Sequence, residues 1–235
     1  MRRVVVTGLG AITPIGNSVS QMWESVKAGK CGIDKITLFD TTDRKVTLAG
    51  EVKNYVPEAF LDKREARKMD RYVQFAMAAA NEAMKDAGLD MEKEDTSRCG
   101  CIVSSGIGGL GTIEAEDKKG MEKGYDRVSP HFIPMVISNM AAGNIAIAYG
   151  FHGMCTCPVT ACASGTNAIG DAFRQIRDGY ADVMICGGSE ASITPLGIGG
   201  FTSLKALSQA EDPKRASIPF DKERNGFVMG EGAGV

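Results

Sequence analysis

The sequence predicts an α/β fold, in which a mixed, mostly parallel β-sheet is covered by helices on both faces. Segments with apolar residues at helical spacing alternate with short runs that are apolar on consecutive residues, as strands buried on both faces are. The 235 residues are 43% hydrophobic and 24% charged. This composition is typical of globular proteins and is sufficient for one large domain or two small ones.

The first hundred residues predict strands and helices in turn. Residues 2–9 contain Val4-Val5-Val6 and are closed by Gly10 and Pro14, which indicates a buried strand. A helix is predicted over 18–28, with Ser18 as its cap, and a strand over 46–52. The longest predicted helix, 62–87, has an apolar stripe rich in alanine and ends at Gly88.

The middle of the chain continues the alternation. Residues 101–105 predict a strand, and the glycine-rich loop 106–111 that follows would let a ligand approach the backbone closely, although a flexible surface turn explains it equally well. A helix is predicted over 135–149, and residues 181–186 predict another buried strand. The inward positions expected in helix 135–149 are Met140, Ala141, Asn144, Ile145 and Ala148.

Residues 158–170 contain the candidate nucleophile, Cys162. A short β-favouring run, Val159-Thr160, ends at a cluster of small residues, and Ala168, Ile169, Ala172, Phe173 and Ile176 then follow at helical spacing. The thiol therefore lies at a turn between a strand and the amino end of a helix, where free N–H groups and the helix dipole stabilise a thiolate. A free cysteine is most often a small buried apolar residue, but these surroundings favour a nucleophile.

Charge, cysteine pattern and hydropathy exclude several classes. The net charge of −2 argues against a general nucleic-acid binder. Gly8-Leu9-Gly10 lacks the third glycine of a dinucleotide site, so no cofactor is predicted. The seven cysteines have the spacing of neither a disulfide framework nor a zinc site, and no metal is predicted. Without a convincing signal peptide or an apolar run of about 20 residues, we expect a cytoplasmic protein.

Several motifs in order carry a family resemblance. They are Val159-Thr160-Ala161-Cys162-Ala163-Ser164-Gly165, Gly187-Gly188-Ser189-Glu190, Gly199-Gly200-Phe201 and residues 221–233, with Val4 to Gly10 and Lys68 to Arg71 also matching. The sequence resembles the β-ketoacyl-acyl carrier protein synthases of the thiolase superfamily, most of all the synthase II group of bacterial fatty acid elongation. The resemblance covers essentially all 235 residues and implies a thiolase-like fold, of which this chain is the amino-terminal half.

The resemblance implies a mechanism. The cysteine at the position of Cys162 takes an acyl chain from a carrier protein as a thioester, and the carbanion of a decarboxylated malonyl unit then attacks that thioester. The backbone N–H of the same cysteine contributes to the oxyanion hole. Family members also need two histidines, a lysine and a phenylalanine in their second half. His131 and His152 match neither position, so we expect both to be structural.

The same resemblance implies further sites. Ile107, Phe132 and Phe201 match positions that line or gate the acyl channel, although composition alone would make them core residues. A carrier protein would dock near Arg64, Arg67 and Lys68, with weaker assignments to Arg127 and Lys205; the four-residue spacing of 63, 67 and 71 predicts one shared basic face, which is by default a solvated one. Family members are usually homodimers, paired through the strand just before the nucleophile, which here would run over residues 154–160 and would place Cys155 and Cys157 near the two-fold axis.

The end of the chain, and the absence of the family's two histidines, lysine and phenylalanine, leave alternatives open. Val235 falls where a strand resumes, which suggests a fragment covering the amino-terminal synthase domain, residues 1–235, and incomplete for condensation. A thiolase or coenzyme A-dependent condensing enzyme would share the fold and the cysteine. A non-catalytic fragment or scaffold also stays open, whereas Cys162 argues against a chain-length-factor-like subunit. An α/β-hydrolase is disfavoured because Thr160 and Ser164 occupy the positions where that motif needs glycine.

Overall fold

A five-stranded sheet organises residues 2–235, the part of the chain that the computed structural model describes. Its strands, in chain order, are β1 (Ala11–Ile12), β4 (Cys99–Ser104), β5 (Cys155–Thr156), β6 (Val183–Glu190) and β7 (Gly232–Gly234), and they lie in the order β1-β7-β6-β4-β5. β4 is parallel to both β5 and β6, whereas β7 is antiparallel to β6 and β1. A separate antiparallel pair joins β2 (Asp34–Lys35) to β3 (Leu48–Ala49). The predicted mixed sheet is therefore confirmed.

Helices cover both faces of this sheet. The helices are α1 (Val19–Lys27), α2 (Lys63–Ala66), α3 (Arg71–Ala87), α4 (Leu110–Lys123), α5 (Phe132–Val136), α6 (Met140–Tyr149), α7 (Ser164–Arg177), α8 (Pro195–Ser203) and α9 (Pro213–Ala216). α3 and α6 pack on one face, where Tyr72, Phe75 and Ile145 are fully buried. α7 covers the other face through Ala168 and Ala172, which pack against Ile102. Within the described residues, no helix combines the length and hydropathy that a membrane span needs.

Several predicted elements are confirmed. Helix 18–28 appears as α1, and the Ser18 hydroxyl accepts a hydrogen bond from the Gln21 N–H as its cap. The predicted strands 101–105 and 181–186 correspond to β4 and β6, and the helix expected after Cys162 is α7. These elements have the strongest apolar patterns in the sequence, which explains why their positions were predictable.

Two predicted helices are each broken into two. Helix 62–87 is interrupted between α2 and α3, because the Asp70 carboxylate accepts from the Tyr72 N–H and caps a new helix at Arg71. The prediction that 63, 67 and 71 share one face is therefore wrong, and Arg71 instead turns to pair with Glu231. Helix 135–149 is likewise replaced by α5 and α6, and Ala148, predicted to point inward, is exposed.

Three predicted strands are absent or much shorter. Residues 2–9 form no strand. The Leu9 N–H donates to the Asp86 carboxylate, and the Arg2 N–H donates to the Arg177 carbonyl. Hydrogen bonding to a neighbouring strand starts only at Gly10, which lies opposite Val235. The strand expected over 46–52 is reduced to β3, and the segment 154–160 to β5. Apolar composition alone could not show which backbone groups would meet a neighbouring strand.

Candidate active site

Cys162 lies on a 3₁₀ turn, residues 161–163, immediately before α7. Its side chain is exposed. The preceding residue, Ala161, has a φ of 52°, a left-handed conformation that is costly for a residue with a Cβ. The chain therefore turns sharply just before the thiol, as the sequence predicts for an elbow.

Ser164 holds this turn in place. Its buried hydroxyl accepts from the Thr160 N–H at 2.9 Å and donates to the Ala161 carbonyl at 2.7 Å. No side chain caps the start of α7, and none of the hydrogen bonds within residues 2–235 uses the Cys162 backbone N–H. That N–H is therefore available to an oxyanion beside the thiol.

Two glycines let α7 approach the sheet under the thiol. A Cβ added to Gly188 of β6 would lie 3.2 Å from the Gly165 Cα, tighter than an ordinary contact. A side chain at Gly188 would therefore press on the first turn of α7, whereas a Cβ on Gly165 would lie at an ordinary contact distance of 3.7 Å from the Gly188 Cα. The absence of side chains at Gly165 and Gly188 therefore determines how closely the turn that carries Cys162 approaches the sheet.

A cavity of about 540 Å³ opens beside Cys162. Ile107 and Phe201 line it together with the thiol, and Phe201 packs edge-to-face on Phe227 with ring centroids 5.7 Å apart. Phe132, the third predicted acyl-pocket residue, begins α5 and is half-buried, but it is not part of this lining. The structure thus brings two of the three predicted pocket residues to the same cavity as Cys162.

Glu190 also lines the cavity, and the sequence prediction assigned it no role. It ends β6, and its carboxylate accepts four hydrogen bonds: from the N–H groups of Gly106 and Ile107 at 2.8 and 3.1 Å, and from the hydroxyls of Ser105 and Ser192 at 3.1 and 3.0 Å. The sequence signal that could have found it is an acidic residue at the end of an otherwise apolar strand, where a parallel neighbour ends in a glycine-rich loop.

The remaining cysteines differ from Cys162 in position. Burial raises the pKa of the Cys101 and Cys186 thiols, which lie within β4 and β6. Cys31 and Cys155 are exposed, but they do not line the cavity of about 540 Å³. Among the cysteines of residues 2–235, Cys162 alone lines this cavity, and it is therefore the cysteine placed for chemistry at this site.

Both histidines lie away from the cavity. The His152 Nδ1 is 3.0 Å from the Thr96 hydroxyl, and the exposed His131 precedes α5. Histidine, cysteine and carboxylate side chains form no cluster that could hold a metal ion anywhere in residues 2–235. The chemistry that the site offers is that of a thiol beside an apolar cavity and a free backbone donor.

The predicted carrier-docking residues are all exposed but lie on separate segments. Arg64 is on α2, and Arg67 and Lys68 follow directly, with Lys68 paired to Glu65 at 2.7 Å. Arg127 ends a 3₁₀ turn after α4, and Lys205 follows α8. Arg64, Arg67 and Lys68 therefore form one basic segment. Among the described residues, no hydrogen bond or ion pair connects Arg127 or Lys205 to this segment.

Comparison with known proteins places these features in a family context. The family model described as "Beta-ketoacyl synthase, N-terminal domain" matches residues 1–235. A 3-oxoacyl-[acyl-carrier-protein] synthase 2 of Synechocystis is 51% identical over 235 residues, which are the whole of this chain and 56% of that protein. The protein of the same name from Staphylococcus aureus strain COL is 51% identical over 234 residues, again 56% of its length. The chain thus spans about half the length of the curated relatives it matches.

Solved structures agree in fold. A type II polyketide ketosynthase in complex with its acyl-carrier protein matches with a TM-score of 0.85 and 34% identity, over 99% of this chain and 57% of that one. The ishigamide ketosynthase/chain length factor matches with a TM-score of 0.89 and 30% identity, over the same shares of the two chains. The thiolase-like fold is therefore confirmed.

Proposed function

Because the chain belongs to the β-ketoacyl synthase family, we propose that it takes part in fatty acid chain elongation by accepting an acyl chain on Cys162. The observation that carries the proposal is the thiol on its exposed turn, at the rim of a cavity lined by Ile107 and Phe201. The reaction is acyl transfer followed by decarboxylative condensation in the whole protein.

The proposed transfer step uses the thiol and the backbone N–H of Cys162. The Cys162 sulfur attacks the carbonyl carbon of an acyl thioester, and the oxygen that becomes negative is stabilised by the Cys162 N–H. The bond from carbon to the donor sulfur then breaks, and the proton of the Cys162 thiol ends on the departing thiol. The apolar cavity holds the alkyl chain, whose burial contributes about 0.8 kcal/mol per CH₂ group.

The donor is proposed to be an acyl carrier protein, loaded with an acyl or a malonyl group. An acidic carrier would be attracted by the exposed basic segment Arg64, Arg67 and Lys68, with Arg127 and Lys205 as weaker contacts. The complex of a related ketosynthase with its acyl-carrier protein supports this partner. Charges at such a surface mainly raise the association rate, and salt screens them.

The test is to load Cys162 and identify the adduct by intact and peptide mass. We expect an acyl adduct on Cys162 from acyl-carrier protein, none in Cys162→Ser, and slower loading after Arg67→Glu and Lys68→Glu at low salt only. Alkylation of Cys162 by iodoacetamide is the control for a free and accessible thiol. Faster loading from coenzyme A thioesters would instead favour a thiolase-like enzyme, and alkylation without any acylation would contradict the proposal.

We also propose a cytoplasmic homodimer paired through the β5 edge of the sheet. β5 ends the strand order, and the nearby apolar side chains of Ile147, Met154 and Val159 are exposed. Joining two such edges would cover them and bring the exposed Cys155 of each copy together. Sedimentation velocity should show a dimer that Met154→Glu weakens; a monomer at every concentration would contradict this proposal.

A further inference from the structure

The glycine-rich loop after β4 is held by a single carboxylate. Glu190 Oε2 accepts from two successive N–H groups, those of Gly106 and Ile107, and Oε1 accepts from the Ser105 hydroxyl. The Ser105 oxygen in turn accepts from the Gly108 N–H at 2.9 Å. Three consecutive N–H groups of the loop are thus bound through Glu190 and Ser105, and the loop cannot move without breaking them.

This loop lies against the turn that carries the nucleophile. A Cβ built on Gly106 would lie 3.6 Å from the Ala161 carbonyl oxygen and 3.1 Å from Glu190 Oε2. The loop backbone is therefore packed between the carboxylate and the residue before Cys162. The next residue, Ile107, supplies an apolar wall of the cavity and is 39% exposed, so core packing alone does not hold its side chain.

We propose that Glu190 is a positioning residue that holds Ile107 at a set place beside Cys162 and so determines how the cavity accepts an alkyl chain. The proposal rests on the proposed function in that the chain is the alkyl part of the acyl substrate. Glu190 takes no part in bond making. It acts through the loop backbone.

A glutamine at position 190 can form the same number of hydrogen bonds to the loop as Glu190. The amide oxygen of a glutamine at 190 can accept from the two backbone N–H groups, and its NH₂ group can donate to the two hydroxyl oxygens, which accept as well as donate. A positioning role therefore predicts that Glu190→Gln keeps the loop in place and Glu190→Ala releases it. A role that needs the negative charge predicts that both variants behave alike.

Glu51 offers a matched control elsewhere in the chain. Its buried carboxylate also accepts from two backbone N–H groups, those of Thr37 and Leu38, and from the Thr37 hydroxyl, but it does not line the cavity. Glu51→Ala removes the same kind of loop anchor. Any effect that comes only from lost stability should appear in both alanine variants.

The experiment measures alkylation of Cys162 by N-ethylmaleimide and by N-octylmaleimide, with peptide mapping and with Cys31 as an internal reference for an exposed thiol outside the cavity. We expect the octyl-to-ethyl rate ratio at Cys162 to fall about tenfold in Glu190→Ala, while it stays within about twofold of the parent in Glu190→Gln and in Glu51→Ala. Amide hydrogen exchange at residues 106–108 should accelerate in Glu190→Ala only.

Each other outcome overturns the proposal. An unchanged ratio in Glu190→Ala shows that the carboxylate does not set the pocket, and an equal fall in Glu190→Gln shows that charge, not positioning, matters. An equal fall in Glu51→Ala would attribute the effect to stability. If Glu190→Ala does not fold, Glu190→Asp, shorter by one methylene, should lower the ratio instead, and an unchanged ratio there counts against the proposal. Because maleimides need no acyl transfer, failure of acylation would contradict the proposed function alone.

Discussion

Two neighbouring buried serines at the end of β4 differ in whether their hydroxyls have hydrogen-bond partners. Ser104 and Ser105 are 1% and 2% exposed. The Ser105 hydroxyl bonds to Glu190 and to the Gly108 N–H, whereas the Ser104 hydroxyl has no hydrogen-bond partner among the described residues. A buried polar group without a partner loses its hydration and gains nothing in return.

The two serines should therefore respond oppositely to alanine. Ser104→Ala removes an unsatisfied hydroxyl and should raise the free energy of unfolding by about 1 kcal/mol. Ser105→Ala leaves the Gly108 N–H without a partner and removes one of the two hydrogen bonds to Glu190 Oε1, so it should lower the free energy of unfolding by about 1–3 kcal/mol. Urea denaturation of both variants measures the difference. Equal destabilisation by the two substitutions would show that Ser104 has a partner that the hydrogen-bond geometry does not reveal.

At the same scale, the position of the candidate nucleophile was predictable from the sequence, whereas the contacts of Glu190 were not. Cys162 is signalled by its own neighbours, because small residues, a β-favouring run and a helical pattern are all within a few positions of it. Glu190 acts on residues 83 and 84 positions away, at Ile107 and Gly106. Local patterning contains no information about which loop a carboxylate will reach.

At the scale of elements, the two errors in the predicted helices share one cause. Residues 62–87 and 135–149 have helical spacing throughout, yet each is divided where a polar contact with another element replaces the helical bond. Asp70 caps α3 through Tyr72 and also binds the N–H and hydroxyl of Thr112 in α4. The Ile137 carbonyl, between α5 and α6, accepts from the Tyr72 hydroxyl at 2.5 Å. Such breaks depend on tertiary contacts, which outweigh propensity.

Burial also changes the pKa of the Asp70 carboxyl. Burial raises its pKa, although the Thr112 hydroxyl and two backbone N–H groups oppose the change. The ionised form is therefore less favoured in the folded protein than these hydrogen bonds alone would suggest. Asp70 caps α3 and also binds Thr112 in the first turn of α4, and the new helix start at α3 is why a basic stripe across positions 63, 67 and 71 does not form.

At the scale of the whole molecule, ion pairs connect parts that are distant in sequence. Arg71 Nη2 and Nε bind the two Glu231 oxygens at 2.6 and 2.9 Å, and Glu231 also accepts from the Val52 N–H. This buried carboxylate joins α3 and the segment after β3 to the residue before β7. Near the other end of the sheet, Asp182 receives hydrogen bonds from both Arg2 and Arg98.

The Asp182 cluster should make stability depend on pH. The hydrogen bonds from Arg98 and then Arg2 hold the pKa of this carboxyl well below its ordinary value, so the folded protein binds its proton less readily than the unfolded chain. The stabilisation is therefore fully present above the unfolded pKa of about 4 and is lost as the pH falls below that value. Asp182→Asn should be less stable than the parent at pH 7, and the difference should shrink towards zero in acid.

Urea denaturation at neutral and at acid pH checks this expectation, with Asp43→Asn as the control. Asp43 is an exposed carboxylate that forms no ion pair among the described residues, so its removal changes the net charge equally without breaking a contact. A pH-dependent difference in Asp182→Asn alone would show that the contact between residues 2, 98 and 182 stabilises the fold. The same pH-dependent difference in both variants would mean that the net charge causes it. A loss of stability that does not depend on pH would mean that the Asp182 side chain contributes through packing, because a contribution from its charge disappears when the carboxylate is protonated.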